Sequence, residues 1–519
     1  MIFCVAHGFM RNTQTCPSFE SLLRQPQIAE SFISQKIERL KKKGIYQWIW
    51  SEFERESSID PQISYPSQGL VRTPYDSDRG KDAVVIQLEK ELIENTISTQ
   101  LYYLELLNHP DRLKALLRAN AQPFVPPSVK RAQPIFVQAE AERRAIAITE
   151  LALQAQGADR PRASRTQRLL SGPFVKLGLQ ARSILCGSAN PECWGSAPAL
   201  AVMAQVHSLV GIPRDGFFTD IQRQVDLAKK ALEWLEKSPV LIDRPQREQQ
   251  HLLGFWRRNL MGVLEPEATK ALPRAEALYN AGVRTFRVYS PEPGTDLVWT
   301  VMKLRQLQRK KGWEEIEIFA GQVISVEQAI DLQKRGANGI YVGIGGGGRC
   351  ITGVRSGLAI DWPQLVEKLR GQLHIPIIVE GGASDAIAQT LAVGATGIGV
   401  TRSVGGGTIE SPGGWCYLKD AISMFKPYGG EASARVKYMG GRGGPFGVIQ
   451  YVEGQTTEAN INYDRVTVPT LLHNYYLLNG DAILSLVFQN AVDIPEFQEV
   501  AFNALVRVTP MDLTLRNTH

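Results

Sequence analysis

A cysteine at the end of a glycine-rich loop is the group in this chain best suited to covalent chemistry. The stretch Gly336 to Thr352, GANGIYVGIGGGGRCIT, reads as an apolar strand, Gly339 to Val342, that empties into a loop of five glycines and ends at Cys350. Glycines adopt positive φ and let backbone N–H groups approach a ligand that a side chain would hold off. Arg349 beside the cysteine, with the loop N–H dipoles, favours the nucleophilic thiolate. A surface loop with an incidental cysteine is the competing reading, because a lone glycine run is a weak fingerprint. Two further loops carry residues of a similar kind. Glu380-Gly381-Gly382 follows the apolar run Ile375 to Val379, and Thr401-Arg402-Ser403, with GGGT shortly after, follows Gly397 to Val400. Small residues, hydroxyls and free N–H groups in such turns suit a phosphate.

The elements that would have to position these loops begin near residue 175. From there short apolar strands alternate with amphipathic helices, the pattern of parallel β/α units. The expected strands are Ile184 to Cys186, Leu209 to Ile212, Leu260 to Val263, Thr285 to Val288, Glu317 to Ala320, Gly339 to Val342, Ile375 to Val379 and Gly397 to Val400. Helical spacing predicts helices over Asp220 to Leu235, Glu267 to Ala281, Thr295 to Lys311, Val326 to Arg335, Trp362 to Leu373 and Ser384 to Val393. No dinucleotide-type GxGxxG follows the first strand, so the expected fold is an α/β (β/α)8 TIM barrel rather than an open sheet. In such a barrel the site lies at the carboxyl ends of the strands, and the last two loops commonly bind phosphate. The three loops then converge on one pocket, with a phosphate-containing ligand beside Cys350. Glycine turns that only satisfy barrel geometry are the alternative.

Residues 1–168 read as a mainly helical extension, and 169–519 as the barrel with a carboxyl-terminal flap and tail. Apolar residues recur at helical spacing over Ser18 to Lys43 and Ala83 to Ala119, Ser57 to Arg79 reads as loop, and a further helix is expected over about Gln138 to Gln156. The basic stretch GADRPRASRTQR reads as a linker ending near residue 168. No chemistry is evident in this extension, and its expected role is assembly or regulation. The whole chain has 519 residues and a net charge of +6, with 44% hydrophobic and 21% charged residues, so neither nucleic acid nor membrane is an expected partner. Six scattered cysteines without a CxxC pair suggest neither zinc nor a disulfide framework. No apolar run reaches transmembrane length, and the start, Met1 to Met10, lacks a charged n-region and a cleavage site, so a soluble cytoplasmic protein is expected.

At the loop residues the chain resembles the IMP dehydrogenase and GMP reductase family over about residues 168 to 510. That family carries a loop of the type GxGxGSxCxT, met here by Gly343, Gly345, Gly347, Cys350 and Thr352, with Gly348 at the serine position. Its DGG turn, which holds ribose and phosphate, is matched by Glu380, Gly381 and Gly382, and its Gly-Ser phosphate turn by Arg402-Ser403. GSANPECW is similar to the SANMDT segment, placing Ser188 at a phosphate-contacting serine and Asn190 in register, with Pro191-Glu192 where the family has Met-Asp. KPYGGEASARVKYMGG resembles the reductase's YGMSS…KKYAGG stretch, which puts Tyr428 at a phosphate-contacting tyrosine and Gly430 and Glu431 near the purine.

The resemblance implies that Cys350 attacks C2 of a purine nucleoside 5′-monophosphate, that C2 exchanges a hydride with NADP(H) or NAD(H), and that Thr352 hydrogen-bonds the group entering or leaving there. Ser290 and Gln322, at a family aspartate and asparagine, fall on the cofactor side with Gly343 and Gly345. YVEGQTTEAN resembles the reductase's YRASEGKTVEV, which makes Glu453 the proton donor. The span Lys237 to Asn259 is too short for the two CBS modules of most dehydrogenases, and the dehydrogenase's Arg-Tyr flap pair has only Lys437-Tyr438 as its nearest counterpart. The first expectation is therefore GMP reductase-like chemistry, GMP and NADPH giving IMP and ammonia, in a homotetramer. An IMP dehydrogenase-like enzyme, IMP and NAD giving XMP with potassium on carbonyls of Gly345, Gly347 and Cys350, is the runner-up. A non-catalytic purine-nucleotide sensor is the alternative from another class. A flavin-dependent barrel fits less well, since an FMN site does not require this Cys and Thr pair.

Overall fold

The computed structural model describes residues 16–57, 90–127, 133–346, 350–359, 361–412, 417–418, 424–441, 449, 452–461 and 470–508. The expected loop over 58–79, the apolar start, and Gly347, Gly348 and Arg349 lie outside this set.

Eight parallel strands make one sheet: β1 (Leu185–Gly187), β2 (Val210–Ile212), β3 (Leu260–Leu264), β4 (Thr285–Tyr289), β5 (Glu317–Gly321), β6 (Gly339–Val342), β7 (Ile377–Val379) and β8 (Gly397–Val400). Each lies within about two residues of its sequence expectation. The spatial order is β1-β8-β7-β6-β5-β4-β3-β2. Across the seam, Gly187 N–H donates to the Leu209 carbonyl at 2.7 Å and Gly211 N–H to the Ser188 carbonyl at 3.0 Å, which brings the sheet round into a barrel.

Alternation along the strands divides the core in two. Cys186, Leu209, Met261, Phe319, Tyr341 and Ile378 fill the barrel interior, while their neighbours Leu185, Val210, Leu260, Ile318, Ile340 and Ile377 pack outward against the helices. The helices start at side-chain caps such as Asp220, which accepts from Gln222 N–H, and Ser325, which accepts from Gln328 N–H. The antiparallel hairpin Phe174–Leu177 and Gln180–Ser183 covers the amino-terminal end of the barrel, where Arg182 grips Glu317 through two hydrogen bonds of 2.7 and 2.8 Å, both side chains fully buried. The opposite, carboxyl end is left for the loops.

The amino-terminal residues pack on the barrel. Helices Pro26–Lys42, Ile45–Ser57 and Lys90–Leu107 share a core with Ile242 and Ile409, and Lys36 sits buried between Glu105 at 3.0 Å and the Ile242 carbonyl at 2.9 Å. Pro110 splits the expected long helix: a second one, Pro110–Ala121, starts with the proline in its first turn, where no N–H is required. The helix expected over Gln138 to Gln156 is shorter than its spacing suggests, running Pro134–Ala141. Beyond it, Leu151–Leu153 forms a strand antiparallel to Leu505–Arg507, a pairing that local periodicity does not contain. The expected linker ends in a helix, Arg165–Ser171, anchored by buried Arg168, which donates to the Ala491 carbonyl at 2.7 Å. No helix among the described residues is long and apolar enough to cross a membrane.

Candidate active site

At the carboxyl end of the barrel the loops after β1, β4, β5, β6, β7 and β8 surround a cavity of about 260 Å³. Segments beyond the barrel close over it. An antiparallel sheet of Tyr417–Leu418, Met424–Gly429 and Thr456–Ile461 brings Tyr428, Gly430 and Glu431 to the rim. Gly454 bridges both Cys350 and Ser433, and Ile351 N–H donates to the Glu453 carbonyl at 2.8 Å, so the cysteine loop is fastened to the strand end that carries Glu453.

Cys350 is partly exposed, and its Sγ lies 3.0 Å from Thr352 Oγ1. Cys186 and Cys193 are buried, and burial pushes the Cys186 thiol up to about 12. Reactivity toward the solvent and toward a ligand therefore favours Cys350 over both.

The loops after β6 and β7 meet backbone against backbone, and this is where the glycines are required. A Cβ on Gly381, whose φ is +74°, would stand 2.7 Å from both the Gly343 carbonyl oxygen and Gly346 Cα. Any side chain there would push the cysteine loop from the Glu380-Gly381-Gly382 turn.

On the β1 and β8 side, hydroxyls are oriented to donate. Ser188 Oγ accepts from Thr401 Oγ1 at 2.7 Å and from Trp194 Nε1 at 3.2 Å, which leaves its own proton free for a ligand. Asn190 Nδ2 donates to the Gly429 carbonyl at 3.0 Å and to Tyr428 Oη at 3.3 Å, and burial holds the Tyr428 hydroxyl protonated well above its usual range. Asn190 thus positions Tyr428 as a donor. Arg402 and Ser403, both exposed, complete this side.

Glu380 is engaged from within the barrel. Arg287, on β4, donates Nη1 to Oε1 at 2.8 Å and Nη2 to Oε2 at 2.7 Å, and Gln322 Nε2 donates to Oε2 at 2.6 Å. The guanidinium also lies 3.8 Å from the Tyr341 ring centroid, and the carboxylate raises its pKa further although burial opposes this. Glu431 has the opposite environment. Burial and the neighbouring Asp215 and Glu380 carboxylates outweigh Arg287 and Arg214, raising its pKa to about 8, so the carboxyl is neutral at pH 7 and can both donate and accept. Its Oε1 is buried without a hydrogen-bond partner.

Of the residues singled out by sequence, Ser188, Asn190, Gln322, Gly343, Gly345, Cys350, Thr352, Glu380, Gly381, Gly382, Arg402, Ser403, Tyr428, Gly430, Glu431 and Glu453 line this one cavity. Ser290 does not line it: its hydroxyl donates to the Glu292 carbonyl at 2.9 Å and accepts Glu292 N–H at 3.1 Å. Gly347 and Gly348 lie outside the described residues, so of the three carbonyls named for potassium only those of Gly345 and Cys350 are placed. Glu192 is buried in an ion pair with Arg435 at 2.7 Å. Sequence reasoning passed over Arg287, Tyr289, Ser384 and Asp385. An arginine inside the apolar strand TFRVY was a usable signal, because a buried charge requires a partner.

Residues 255–463 match the family model described as the IMP dehydrogenase / GMP reductase domain. This part of the chain is similar to the IMP dehydrogenase / GMP reductase family. Among its relatives, the "Inosine-5'-monophosphate dehydrogenase" of Nitrosopumilus maritimus (strain SCM1) is 34% identical over 184 residues, covering 34% of this chain and 37% of the relative. That of Rhodopirellula baltica (strain DSM 10527 / NCIMB 13988 / SH1) is 34% identical over 167 residues, 31% of this chain and 30% of the relative. The Cryptosporidium parvum protein of the same name is 35% identical over 135 residues, 25% of this chain and 33% of the relative. The chain thus spans about a third of the length of these curated relatives. The matched stretch includes β3 to β8 and every described cavity residue except Ser188 and Asn190.

The resemblance implies a nicotinamide dinucleotide, an expectation that the lining can accommodate. Tyr289 at the end of β4, Pro291 beyond it and Ile344 beyond β6 put flat or apolar surface beside the amide-rich glycine loop, a lining that fits a planar, weakly polar ring. Among the described residues no group of three or more His, Cys, Asp or Glu side chains is arranged to hold a metal ion.

Proposed function

We propose that the cavity takes a purine nucleoside 5′-monophosphate and that the chain is a nicotinamide-dependent oxidoreductase acting at C2 of the base, with Cys350 as nucleophile. The observation that carries this reading is the Cys350 Sγ to Thr352 Oγ1 approach of 3.0 Å in one cavity with Ser188, Ser403 and Tyr428. The hydroxyls of these three, with Arg402 and the N–H groups of Gly381 and Gly382, would hold the phosphate. Gly430 and the neutral carboxyl of Glu431 would meet the base. Anchored at phosphate and base, the nucleotide presents C2 to the sulfur, so the attack is effectively intramolecular.

In the reductive direction, GMP to IMP and ammonia, the Cys350 thiolate forms a bond to C2 as the exocyclic C–N bond breaks. Glu453 and Thr352 hand the departing amine its proton. Gln322, Gly343 and Gly345 would hold a nicotinamide dinucleotide, which would supply the hydride chemistry at C2, and breaking of the C2–S bond then frees IMP and returns the Cys350 thiolate. Support for the reductive direction is Glu453, fastened beside Cys350 by the Gly454 bridge. The second reading runs from IMP to XMP with NAD, and is favoured by the names of the relatives. NADP(H) as the reductive cofactor, potassium at the Gly345 and Cys350 carbonyls, a homotetrameric assembly and a cytoplasmic location belong to the same proposal.

Anaerobic turnover followed by nicotinamide absorbance, with GMP and NADPH, IMP and NAD, and XMP in turn, tests it. Expected is turnover with one of the first two pairs, abolished in Cys350→Ser. Protection of Cys350 from alkylation by a nucleotide without any turnover would replace the enzyme by a nucleotide sensor. Absence of both turnover and protection would overturn the assignment.

A further inference from the structure

The barrel order places β7 between the two chemistries of the cavity. The phosphate-suited loops follow β8 and β1, the nucleophile follows β6, and β7 with Glu380 at its exit separates them. A nucleotide that reaches from the Ser188 and Ser403 side to Cys350 must lay its sugar over β7, where the first side chain it meets is Glu380.

The state of that carboxylate decides what it can read. A carboxylate offers about four lone-pair sites, two on each oxygen. Oε2 already receives Arg287 Nη2 at 2.7 Å and Gln322 Nε2 at 2.6 Å, and Oε1 receives Arg287 Nη1 at 2.8 Å. One site remains, on Oε1. The partners are not free to leave: Arg287 is 1% exposed and needs a counter-charge, and Gln322 is 5% exposed, whereas Glu380 keeps 15% of its side chain open toward the cavity. A vicinal diol offers two donors to a carboxylate, one per oxygen. Here the second oxygen is already filled from below.

From this count we infer that the sugar subsite reads a single hydroxyl, so that purine nucleoside monophosphates lacking the other one, either the 2′-deoxy or the 3′-deoxy series, are ligands of this cavity alongside ribonucleotides. The inference rests on the nucleotide reading above and extends its substrate class. A hydroxyl that bonds an ionised acceptor and is then removed weakens binding by about tenfold or more. A carboxylate open on both oxygens would therefore penalise removal of either hydroxyl. With one site open, one of the two removals is nearly silent. Ser384 and Asp385 follow Gly382 on the same loop, and a contribution from them would appear as a penalty for both removals.

The test is protection of Cys350 from alkylation in the native chain by IMP and GMP, by their 2′-deoxy forms, and by their 3′-deoxy forms. Expected is one deoxy series protecting with an apparent Kd within fivefold of the ribonucleotide. Both deoxy series weaker by more than fivefold, with the ribonucleotides still protecting, would overturn the single-hydroxyl inference and leave the nucleotide reading standing. No protection by any of the six would overturn the nucleotide reading and this inference with it. Arg287→Met adds a second readout, since it returns one acceptor site to each oxygen. In folded protein that protects with IMP or GMP, the preference for ribonucleotide should rise by about tenfold. An unchanged preference in that variant would count against the inference, and a variant that does not fold leaves the native comparison decisive.

Discussion

Replacing Gly381 by alanine should both loosen the barrel rim and spoil the site. Gly381 has φ +74°, a conformation that costs an L side chain roughly 1–2 kcal/mol. The added Cβ would also stand 2.7 Å from the Gly343 oxygen and from Gly346 Cα, against an ordinary contact of about 3.4 Å or more. Those atoms are backbone of the cysteine loop, so they cannot rotate aside, and the two loops must part by about 0.7 Å. Overpacking of this kind costs typically about 1–3 kcal/mol, giving a total of about 2–5 kcal/mol. A misplacement approaching 1 Å at reacting groups can cost on the order of 100-fold in rate. Two other glycines separate the contributions. Gly312 has φ +63° and nothing within 4 Å of its would-be Cβ, so Gly312→Ala reports backbone strain alone. Gly254 lies exposed in the helix Gln246–Arg257 with nothing within 4 Å, so Gly254→Ala should stabilise by up to about 1 kcal/mol. Denaturant midpoints of the three variants, with nucleotide protection of Cys350, make the measurement. Gly381→Ala matching Gly312→Ala in stability, with unaltered protection, would refute the account of why these loops are glycine.

Cys350→Ser should retain nucleotide binding while turnover falls by orders of magnitude, because an alcohol is a far weaker nucleophile than a thiol at neutral pH; full activity would remove Cys350 from the chemistry. An alkylating reagent should label Cys350 before buried Cys186 and Cys193, as peptide mapping by mass spectrometry would show. Ser403→Glu places a carboxylate among the hydroxyls that would hold the phosphate, and nucleotide affinity measured by calorimetry should drop by at least about tenfold. Glu431 is raised to about 8, so its neutral form and the stability that goes with it are fully present below the ordinary carboxyl range and lost as pH climbs through about 8. Nucleotide affinity, which needs the neutral form in the folded protein, should hold to neutral pH and fall only as pH passes about 8, and Glu431→Gln, which keeps a neutral donor and acceptor, should flatten both profiles; an unchanged slope in that variant would assign it to another group.

The barrel was legible because its signals are local. Each strand is an apolar run that fits one pleated, buried segment, each helix carries its own periodicity and cap, and Cys350, Glu380 and Ser403 follow such runs by one to eight residues. A barrel rule then sends those positions to the same rim, and they line one cavity there. The strand pairing of Leu151–Leu153 with Leu505–Arg507 was not legible, since its partners are some 350 residues apart and neither segment announces the other. The same holds for the electrostatics. Arg287 and Glu380 are 93 residues apart in sequence, yet their contact determines how many acceptor sites the sugar would find. Sequence named Glu431 as a residue near the base, but only the burial and the company of Asp215 and Glu380 make it a neutral carboxyl at pH 7. Residue type and spacing determine which groups can reach a site, because backbone geometry is local; charge state and hydrogen-bond capacity depend on what the fold packs against them, because desolvation and Coulomb interactions act through space.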